Sequence, residues 1–259
     1  MPLAEIVAAL ASGALIGAVL GLVGGGGSIL AVPLLVYAVG VGSTHAAIGT
    51  AAFAVAANGL TGLAGHARAG TVKWRCASVF AVAGVTGAAL GAELGKAFDG
   101  QRLLLFFGLL MIGVGLSMLR KRKSAEAPDV RLTRDSARHL LPRLVPIGLA
   151  VGLAAGFFGI GGGFLIVPGL IAATSMPLRN AVGTSLVVVA ALGITTAASY
   201  ALSGYVDWPL TGLLIAGGAV GSLLGIALGR RLAAHKGLLE KLFAAVVVAV
   251  GAYVVAQAA

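Results

Sequence analysis

Apolar runs of about membrane length fill most of the chain and are separated by short polar breaks. They occupy 3–23, 28–41, 46–65, 74–96 and 102–119 in the first half, and 144–158, 163–174, 180–201, 208–229 and 237–256 in the second. Crossing ~30 Å of hydrocarbon takes roughly 20 helical residues, so most runs predict spanning helices. The short second run of each half predicts either a crossing or a re-entrant hairpin. The pattern therefore indicates an all-α integral membrane protein with eight to ten membrane segments.

Composition supports this class. Hydrophobic residues make up 59% of the chain, charged residues make up 10%, and the mean hydropathy is +1.05. A soluble domain carries roughly 25% charged residues, and it could not hide this much apolar surface from water. The N-terminus lacks the basic region of a signal peptide, so the first run predicts a retained helix.

The two halves of the chain repeat each other. GAVLGLVGGGGSILAVP at 17–33 matches GLAAGFFGIGGGFLIVP at 152–168, and the Gly-Thr-Ala of 49–51 returns as Gly-Thr-Ser at 183–185. A repeat of this kind predicts two homologous units. The predicted divisions are a first repeat of four helices plus a short half-helix or hairpin (1–119), a basic linker (120–143) and a second, similar repeat (144–259).

The distribution of Lys and Arg predicts how the repeats face. If the repeats are inverted, 16 of the 18 basic residues lie on one side and only Lys96 and Arg102 on the other. If they are parallel, the split is 11 to 7. Because basic loops mark the cytoplasmic side, inverted repeats are favoured, with a cytoplasmic linker and both termini outside. The net charge of +10 then reflects topology rather than binding of nucleic acid.

Glycine runs interrupt the apolar segments at corresponding places, 24–28 and 159–163. Such breaks mark substrate sites in transporters, because they free backbone N–H groups beside the positive end of a following helix. The alternative is that glycine only permits a turn or close packing. The predicted binding residues are Gly24, Gly25, Gly26, Gly27, Ser28, Thr50, Asn58, Gly161, Gly162, Gly163, Thr184 and Ser185.

The polar members of this set carry their own alternatives. The hydroxyls of Thr50, Thr184 and Ser185 are placed to donate to an anion, or to bond a helix carbonyl or a neighbouring helix. Asn58 is a polar side chain inside a span, and Leu192 occupies the matching position of the second half. It is a predicted ligand contact.

Other polar and glycine positions predict structural roles. The glycines spaced three or four residues apart from Gly84 to Gly95 predict close helix packing. Glu93 and Lys96 predict a surface ion pair rather than a proton relay, and His45, at a segment end, is predicted to be solvated. No metal cluster, nucleophile motif or nucleotide-binding fingerprint is present in the sequence, so no enzyme activity, metal or cofactor is expected. The expected partners are a small anion and the lipid bilayer, with a homodimer left open and no nucleic acid.

The glycine run followed by Val-Pro, the Gly-Thr-Ser/Ala triplet, and their repetition across both halves resemble the sulfite exporter TauE/SafE family. The resemblance covers essentially the whole chain. It implies an anion permease of the cytoplasmic (inner) membrane that moves sulfite or organosulfonates. Ala51 replaces the serine of the triplet in the first half, which argues against a strictly symmetric role for the hydroxyls.

The leading functional hypothesis is export of a small sulfur-containing anion held near the midplane between the two half-helices, with the halves rocking around it. A second hypothesis is an importer or channel-like facilitator of a related anion such as sulfate or thiosulfate. A remote third is a membrane scaffold that transports nothing, or an intramembrane enzyme. An enzyme would need reactive polar groups at membrane depth, and the sequence shows no such set.

Overall fold

Ten α-helices and two short helical pieces of other types make up the described part of the chain. The computed structural model describes residues 2–23, 25–119, 130, 132–159, 163–231 and 236–258. The helices are α1 (Leu3–Val23), α2 (Ala31–Pro33), α3 (Thr44–Arg68), α4 (Trp74–Lys96), α5 (Gly100–Leu119), α6 (Arg134–Phe158), α7 (Gly163–Thr174), α8 (Leu178–Leu202), α9 (Trp208–Arg231) and α10 (Lys236–Ala258). A 3-10 helix (Gly25–Leu30) precedes α2 and a π-helix (Leu34–Val39) follows it, and these three pieces together are the α2 segment.

Seven of these helices, α1, α3, α4, α5, α6, α8 and α9, are long and apolar enough to cross a membrane. Apolar side chains also cover their outer faces, as Val82 on α4 and Leu223 on α9 illustrate at 71% and 64% exposure. In hydrocarbon every backbone polar group must be bonded within the protein, and a helix meets that demand by itself. The prediction of an all-α integral membrane protein is confirmed.

Side-chain caps set where several helices begin. Ser43 accepts a hydrogen bond from Ala46 N at the start of α3. Thr133 forms a reciprocal capping box with Ser136 at the start of α6. Because such a box satisfies two otherwise unbonded N–H groups, α6 starts at Arg134, inside the stretch predicted as linker and ten residues before the predicted apolar run.

The half-helix α7 is too short to cross the bilayer alone. Its 12 residues extend roughly 18 Å at 1.5 Å per residue, against ~30 Å of hydrocarbon. It follows the end of α6, which is capped by Gly159 in the left-handed region at φ +64°, and it packs back on α6. It also packs against the 3-10 helix of the α2 segment, so the short elements of the two halves meet.

Two glycine-lined pairs of parallel helices form the flanks of the bundle. On α1 and α9, Gly13 lies against Leu214 and Gly17 against Gly218. On α4 and α6, Gly84 lies against Gly152. A Cβ at Gly13, Gly17 or Gly152 would approach partner backbone atoms more closely than real Cβ atoms do. The prediction that the Gly84 stripe packs helices closely is confirmed.

The helices α3 and α8 pack antiparallel in the core of the bundle. Gly62 of α3 lies against Leu186 near the start of α8, whereas Ala56 lies against Gly193 farther along α8. The bundle therefore has a Thr44 end, where α3 begins and α8 ends, and an Arg68 end, where α3 ends and α8 begins. The helices α5 and α10 form a further antiparallel pair.

Each of these four pairs joins a helix before residue 120 to a helix after it. The two sequence halves are therefore interleaved in space. A motion in which intact halves rock against each other, as the sequence suggested, would have to separate the glycine contacts between α1 and α9 and between α4 and α6. This arrangement disfavours that motion.

Candidate substrate-binding site

Asn58 lies near the middle of α3 and is 1% exposed. It is 14 residues from the start of the helix and ten from its end, or roughly 21 and 15 Å at 1.5 Å per residue. Neither its amide nitrogen Nδ2 nor its carbonyl oxygen Oδ1 has a hydrogen-bond partner. An unpaired buried polar group costs ~1–3 kcal/mol, so this side chain is suited to a polar ligand that is not part of the fold.

Glycines on two neighbouring helices make room for the Asn58 amide. A Cβ at Gly218 of α9 would overlap the amide group of Asn58. Gly17 of α1 in turn packs against the Gly218 backbone. The glycine contact between α1 and α9 thus lies directly beside the Asn58 side chain, which the sequence had indicated as a ligand contact.

The hydroxyls of Thr50 and Thr184 play matching structural roles. Thr50 Oγ1 accepts a hydrogen bond from Asp207 N at 3.1 Å, and Thr184 Oγ1 accepts one from Lys73 N at 3.0 Å. Asp207 directly precedes α9 and Lys73 directly precedes α4. Each threonine therefore bonds the start of a helix from the other half, which fits the helix-bridging alternative.

The two threonines lie at opposite ends of the bundle. Thr184 reaches the loop that follows Arg68, and Thr50 lies 18 residues before Arg68 on the same helix, roughly 27 Å away at 1.5 Å per residue. The structure therefore does not bring them into one cradle. Ser185 donates from Oγ to the Val182 carbonyl oxygen at 2.8 Å, which is the local back-bond that the sequence left open.

The predicted glycine cradles are described only in part. Gly24, Gly161 and Gly162 lie outside the described residues. Gly25 and Gly26 belong to the 3-10 helix, and Ser28 is fully buried in it. A Cβ at Gly27 would lie 2.6 Å from the Ile16 carbonyl oxygen, so close packing on α1 requires this glycine. Gly163 is buried at the start of α7.

Within the described part of the chain, three further residues carry buried polar atoms without a partner: His45 at Nδ1, Thr196 at Oγ1 and Tyr200 at its hydroxyl. Sequence reasoning missed them, and it predicted that His45 is solvated, whereas its Nδ1 is buried. Thr196 and Tyr200 lie among apolar residues of α8, and tertiary packing decides whether their polar atoms have partners. A polar residue inside a predicted span was the available signal, and it was not applied to Thr196 or Tyr200.

The buried polar side chains of the described residues are neutral: Ser12, Ser28, Thr50, Asn58, Thr71, Thr174, Thr184, Ser185, Thr196, Thr211 and Ser222. The described residues also contain no group of three or more His, Cys, Asp or Glu side chains that could hold a metal ion. The interior therefore offers hydroxyls, amides and backbone groups to a ligand rather than fixed charges.

The Glu93–Lys96 pair lies at the Thr44 end. Lys96 Nζ is 2.7 Å from Glu93 Oε1 and donates to Ser203 Oγ at 2.9 Å. Ser199 Oγ donates to the same carboxylate oxygen at 2.8 Å. The Glu93 side chain is 67% exposed, so the predicted pair near the end of a span is confirmed.

A bundle of apolar helices with interrupted half-helices and unpartnered polar groups in its interior has the features of a membrane transporter. Comparison with known proteins identifies the family. The sequence model described as "Sulfite exporter TauE/SafE" matches residues 9–254. The chain belongs to this family, which confirms the resemblance stated above.

Curated relatives agree with the family. A protein of Xylella fastidiosa strain 9a5c is 49% identical over 98% of this chain and 97% of its own length, and it is named "Probable membrane transporter protein". YunE of Bacillus subtilis, also named a probable membrane transporter protein, is 29% identical over 85% of this chain and 87% of its own length. No solved structure matched the chain. The protein is a multi-pass membrane transporter and not an enzyme.

Proposed function

We propose that this transporter exports a small sulfur-containing anion, sulfite or an organosulfonate, and that Asn58 binds it near the middle of the bilayer. The observation that carries the proposal is the Asn58 side chain, 1% exposed with both amide atoms unpartnered. The family description supports the class of substrate.

A neutral donor suits an anion that must also leave. The Asn58 amide can give two N–H bonds to a sulfonate or sulfite oxygen. A buried Lys or Arg would hold the anion more tightly and would itself be costly to bury. A potential that is negative inside favours outward movement of an anion by ~2.3 kcal/mol per negative charge per 100 mV, so export needs no coupled proton.

We propose that the Arg68 end faces the cytoplasm and that the halves are inverted repeats in the inner membrane. Arg68, Lys73, Arg75 and Arg179 lie at that end in loops or helix termini, and basic loops favour the cytoplasmic side. Inversion is supported by the antiparallel packing of α3 on α8 and of α5 on α10, because each pair joins helices that occupy the same place in the two repeats. Both termini then face outward.

The moving units are proposed to be the two glycine-packed helix pairs rather than the sequence halves. Backbone contacts at Gly17 and Gly218 unite α1 with α9, and those at Gly84 and Gly152 unite α4 with α6. Contacts between α3 and α8 near Gly59 and Gly62 are made by side chains instead, at 3.3–3.4 Å. The contact surface between α3 and α8 is therefore the natural place for relative movement.

The test is anion efflux from proteoliposomes under an imposed potential. Vesicles containing the purified protein are loaded in turn with sulfite, sulfoacetate, sulfate or chloride. We expect efflux of sulfite or sulfoacetate that Asn58→Leu reduces about tenfold, as loss of one substrate hydrogen bond predicts. The matched control is Thr61→Val on the same helix, because the Thr61 hydroxyl already donates to the Ala57 carbonyl.

Asn58→Asp sharpens the test, since a carboxyl group offers one donor at most when it is protonated and none when it is ionised, against the two N–H groups of the amide. Efflux that survives in both Asn58 variants would remove Asn58 from the site. Flux of sulfate but of neither sulfur(IV) nor organosulfonate anions would favour the facilitator hypothesis. Flux of no anion would refute the proposed substrate class.

A further inference from the structure

The buried polar side-chain atoms that lack a partner in the described structure all lie on one helix pair. They are His45 Nδ1, Asn58 Nδ2 and Oδ1, Thr196 Oγ1 and Tyr200 Oη. The first two residues belong to α3 and the other two to α8. Buried polar groups are satisfied in the great majority of cases, so their concentration on one pair of helices calls for a common cause.

The packing contacts order these residues along the pair. Gly193 of α8 lies level with Ala56 of α3, since a Cβ there would be 3.0 Å from that of Ala56. Tyr200 lies level with Gly49 by the same measure. Thr196 therefore falls between these two levels. The series runs from the Thr44 end to the middle of the bundle as His45, Tyr200, Thr196 and Asn58.

Three aromatic rings lie at the Thr44 end of this series. His45, Tyr200 and Tyr205 form an aromatic cluster with ring centroids 5.4 to 6.3 Å apart. Tyr200 is fully buried, whereas Tyr205 is 37% exposed. The unpartnered atoms of His45 and Tyr200 thus belong to a cluster that reaches the surface through Tyr205.

The other end of the pair is different, because its polar groups are bonded. His66 Nδ1 lies 3.0 Å from Thr71 Oγ1, and Asn180 Nδ2 donates to the Thr71 carbonyl at 2.9 Å. Thr184 accepts from Lys73 N. Bonded polar groups hold the Arg68 end together, whereas His45, Tyr200, Thr196 and Asn58, between the Thr44 end and the middle of the bundle, have polar atoms left for a ligand.

We propose that the unpartnered polar groups of α3 and α8 mark the path by which the anion travels between the middle of the bilayer and the Thr44 end. The path runs from Asn58, whose amide lies against Gly218 of α9, to the aromatic cluster. Thr196 is an intermediate contact on this path, and Tyr200 with His45 forms a second binding site for a small oxyanion, such as a sulfonate or sulfite. The direction of transport and the identity of the anion are taken from the proposed function, on which this proposal rests. The new part is the position of the path.

The side chains of Tyr200 and His45 in this second binding site suit a small oxyanion. A tyrosine hydroxyl donates one hydrogen bond, and a neutral imidazole donates one from whichever nitrogen carries the proton. Two such donors satisfy oxyanion oxygens without a fixed charge, as the Asn58 amide does. In the series, successive donors replace part of the anion's hydration shell at each level.

Removing the hydroxyls separates a path from a purely structural role. Tyr200→Phe and Thr196→Val delete an unpartnered buried oxygen, which leaves a protein without ligand as stable or more stable. We expect thermal unfolding of each variant at or above the wild-type temperature, with efflux reduced about tenfold. The controls are Thr195→Val, whose hydroxyl donates to the Ala191 carbonyl, and Tyr253→Phe, whose ring packs on Tyr37.

Thiol labelling tests the path without relying on flux. Cys76 is the chain's single cysteine, so Cys76→Ala provides a background for Thr196→Cys and Tyr200→Cys. The reagent is the membrane-impermeant anion 2-sulfonatoethyl methanethiosulfonate, applied to intact cells and to inverted vesicles. We expect both positions to react from the face at the Thr44 end and sulfoacetate to slow the reaction. The controls are Ile194→Cys, half exposed on the outside of α8, and Leu186→Cys, buried in the Arg68 half of the pair.

The outcomes are distinct. Unreactive cysteines at both positions from both faces would overturn the path. So would Tyr200→Phe and Thr196→Val variants that lose stability, since ordered water would then explain the hydroxyls, or that keep full efflux. If wild type moves none of the four anions while sulfoacetate still protects the cysteines, the proposed export fails and the path stands.

Discussion

The hydroxyl oxygen of Thr50 lies 3.1 Å from the backbone nitrogen of Asp207 and accepts its hydrogen bond. Thr184 does the same for Lys73, at 3.0 Å, across the other end of the bundle. In both cases the donor directly precedes a long helix of the opposite half. The two Gly-Thr motifs therefore connect α3 to α9 and α8 to α4.

Thr50→Val and Thr184→Val should each destabilise the protein by about 0.5–1.5 kcal/mol, because each removes the hydrogen bond that joins two helices. Thermal unfolding in detergent measures the effect, and Thr50→Ser and Thr184→Ser should restore most of it. Thr61→Val is the control on α3. If the valine variants keep wild-type stability but lose efflux, the hydroxyls act as substrate ligands instead.

Glycine substitutions should divide according to what a Cβ meets. Gly152→Ala places a methyl group against the Gly84 backbone and should cost about 1–3 kcal/mol, the usual effect of overpacking. Gly212→Ala on α9 meets nothing within 4 Å and should stabilise by about 0.5–1 kcal/mol, since alanine favours the helix interior. Unfolding temperatures of the two variants measure the contrast, and equal effects would contradict the close packing of α4 on α6.

A disulfide across α3 and α8 should stop transport. The Cβ of Val189 lies 3.8 Å from the position a Cβ would take at Gly59, and disulfides join Cβ atoms about 3.5–4.5 Å apart. In the Cys76→Ala background, oxidised Gly59→Cys/Val189→Cys should lose efflux and regain it on reduction, because the two helices can no longer separate.

The matched control links helices within a glycine-packed pair. Ala83→Cys/Gly148→Cys joins α4 to α6, where the Cβ atoms would be 3.2 Å apart, slightly closer than the usual range for a disulfide. This cross-link should leave efflux close to the value measured after the disulfide has been reduced, since α4 and α6 are proposed to move together. Equal inhibition by both cross-links would refute the assignment of the moving units.

Glu93→Gln should leave anion efflux within about twofold of wild type. The carboxylate is 67% exposed and bonded to Lys96, so it lies outside the interior series of unpartnered groups. Efflux is measured with a potential alone and then with a pH gradient alone. A variant that loses only the flux driven by the pH gradient would identify Glu93 as a proton carrier after all.

Much of the fold followed from local pattern. Apolar run length predicts spanning helices because hydrocarbon thickness sets their length, and glycines at four-residue spacing predict close pairs because they lie on one helix face. The start of α6 was missed, since the Thr133–Ser136 capping box extends the helix into a polar stretch where hydrophobicity gives no signal.

The sequence by itself determined the membrane class, the family, the glycine-packed faces and Asn58 as an unusual polar side chain in a span, because each depends on residue type at a fixed spacing along one helix. Only the tertiary structure decided that Thr50 and Thr184 bond helix starts at opposite ends, that the halves interleave, and that Thr196, Tyr200 and His45 form a series with Asn58. Whether a buried oxygen has a hydrogen-bond partner depends on which groups of another helix lie within bonding distance of it. The order of residues along one helix does not show that distance.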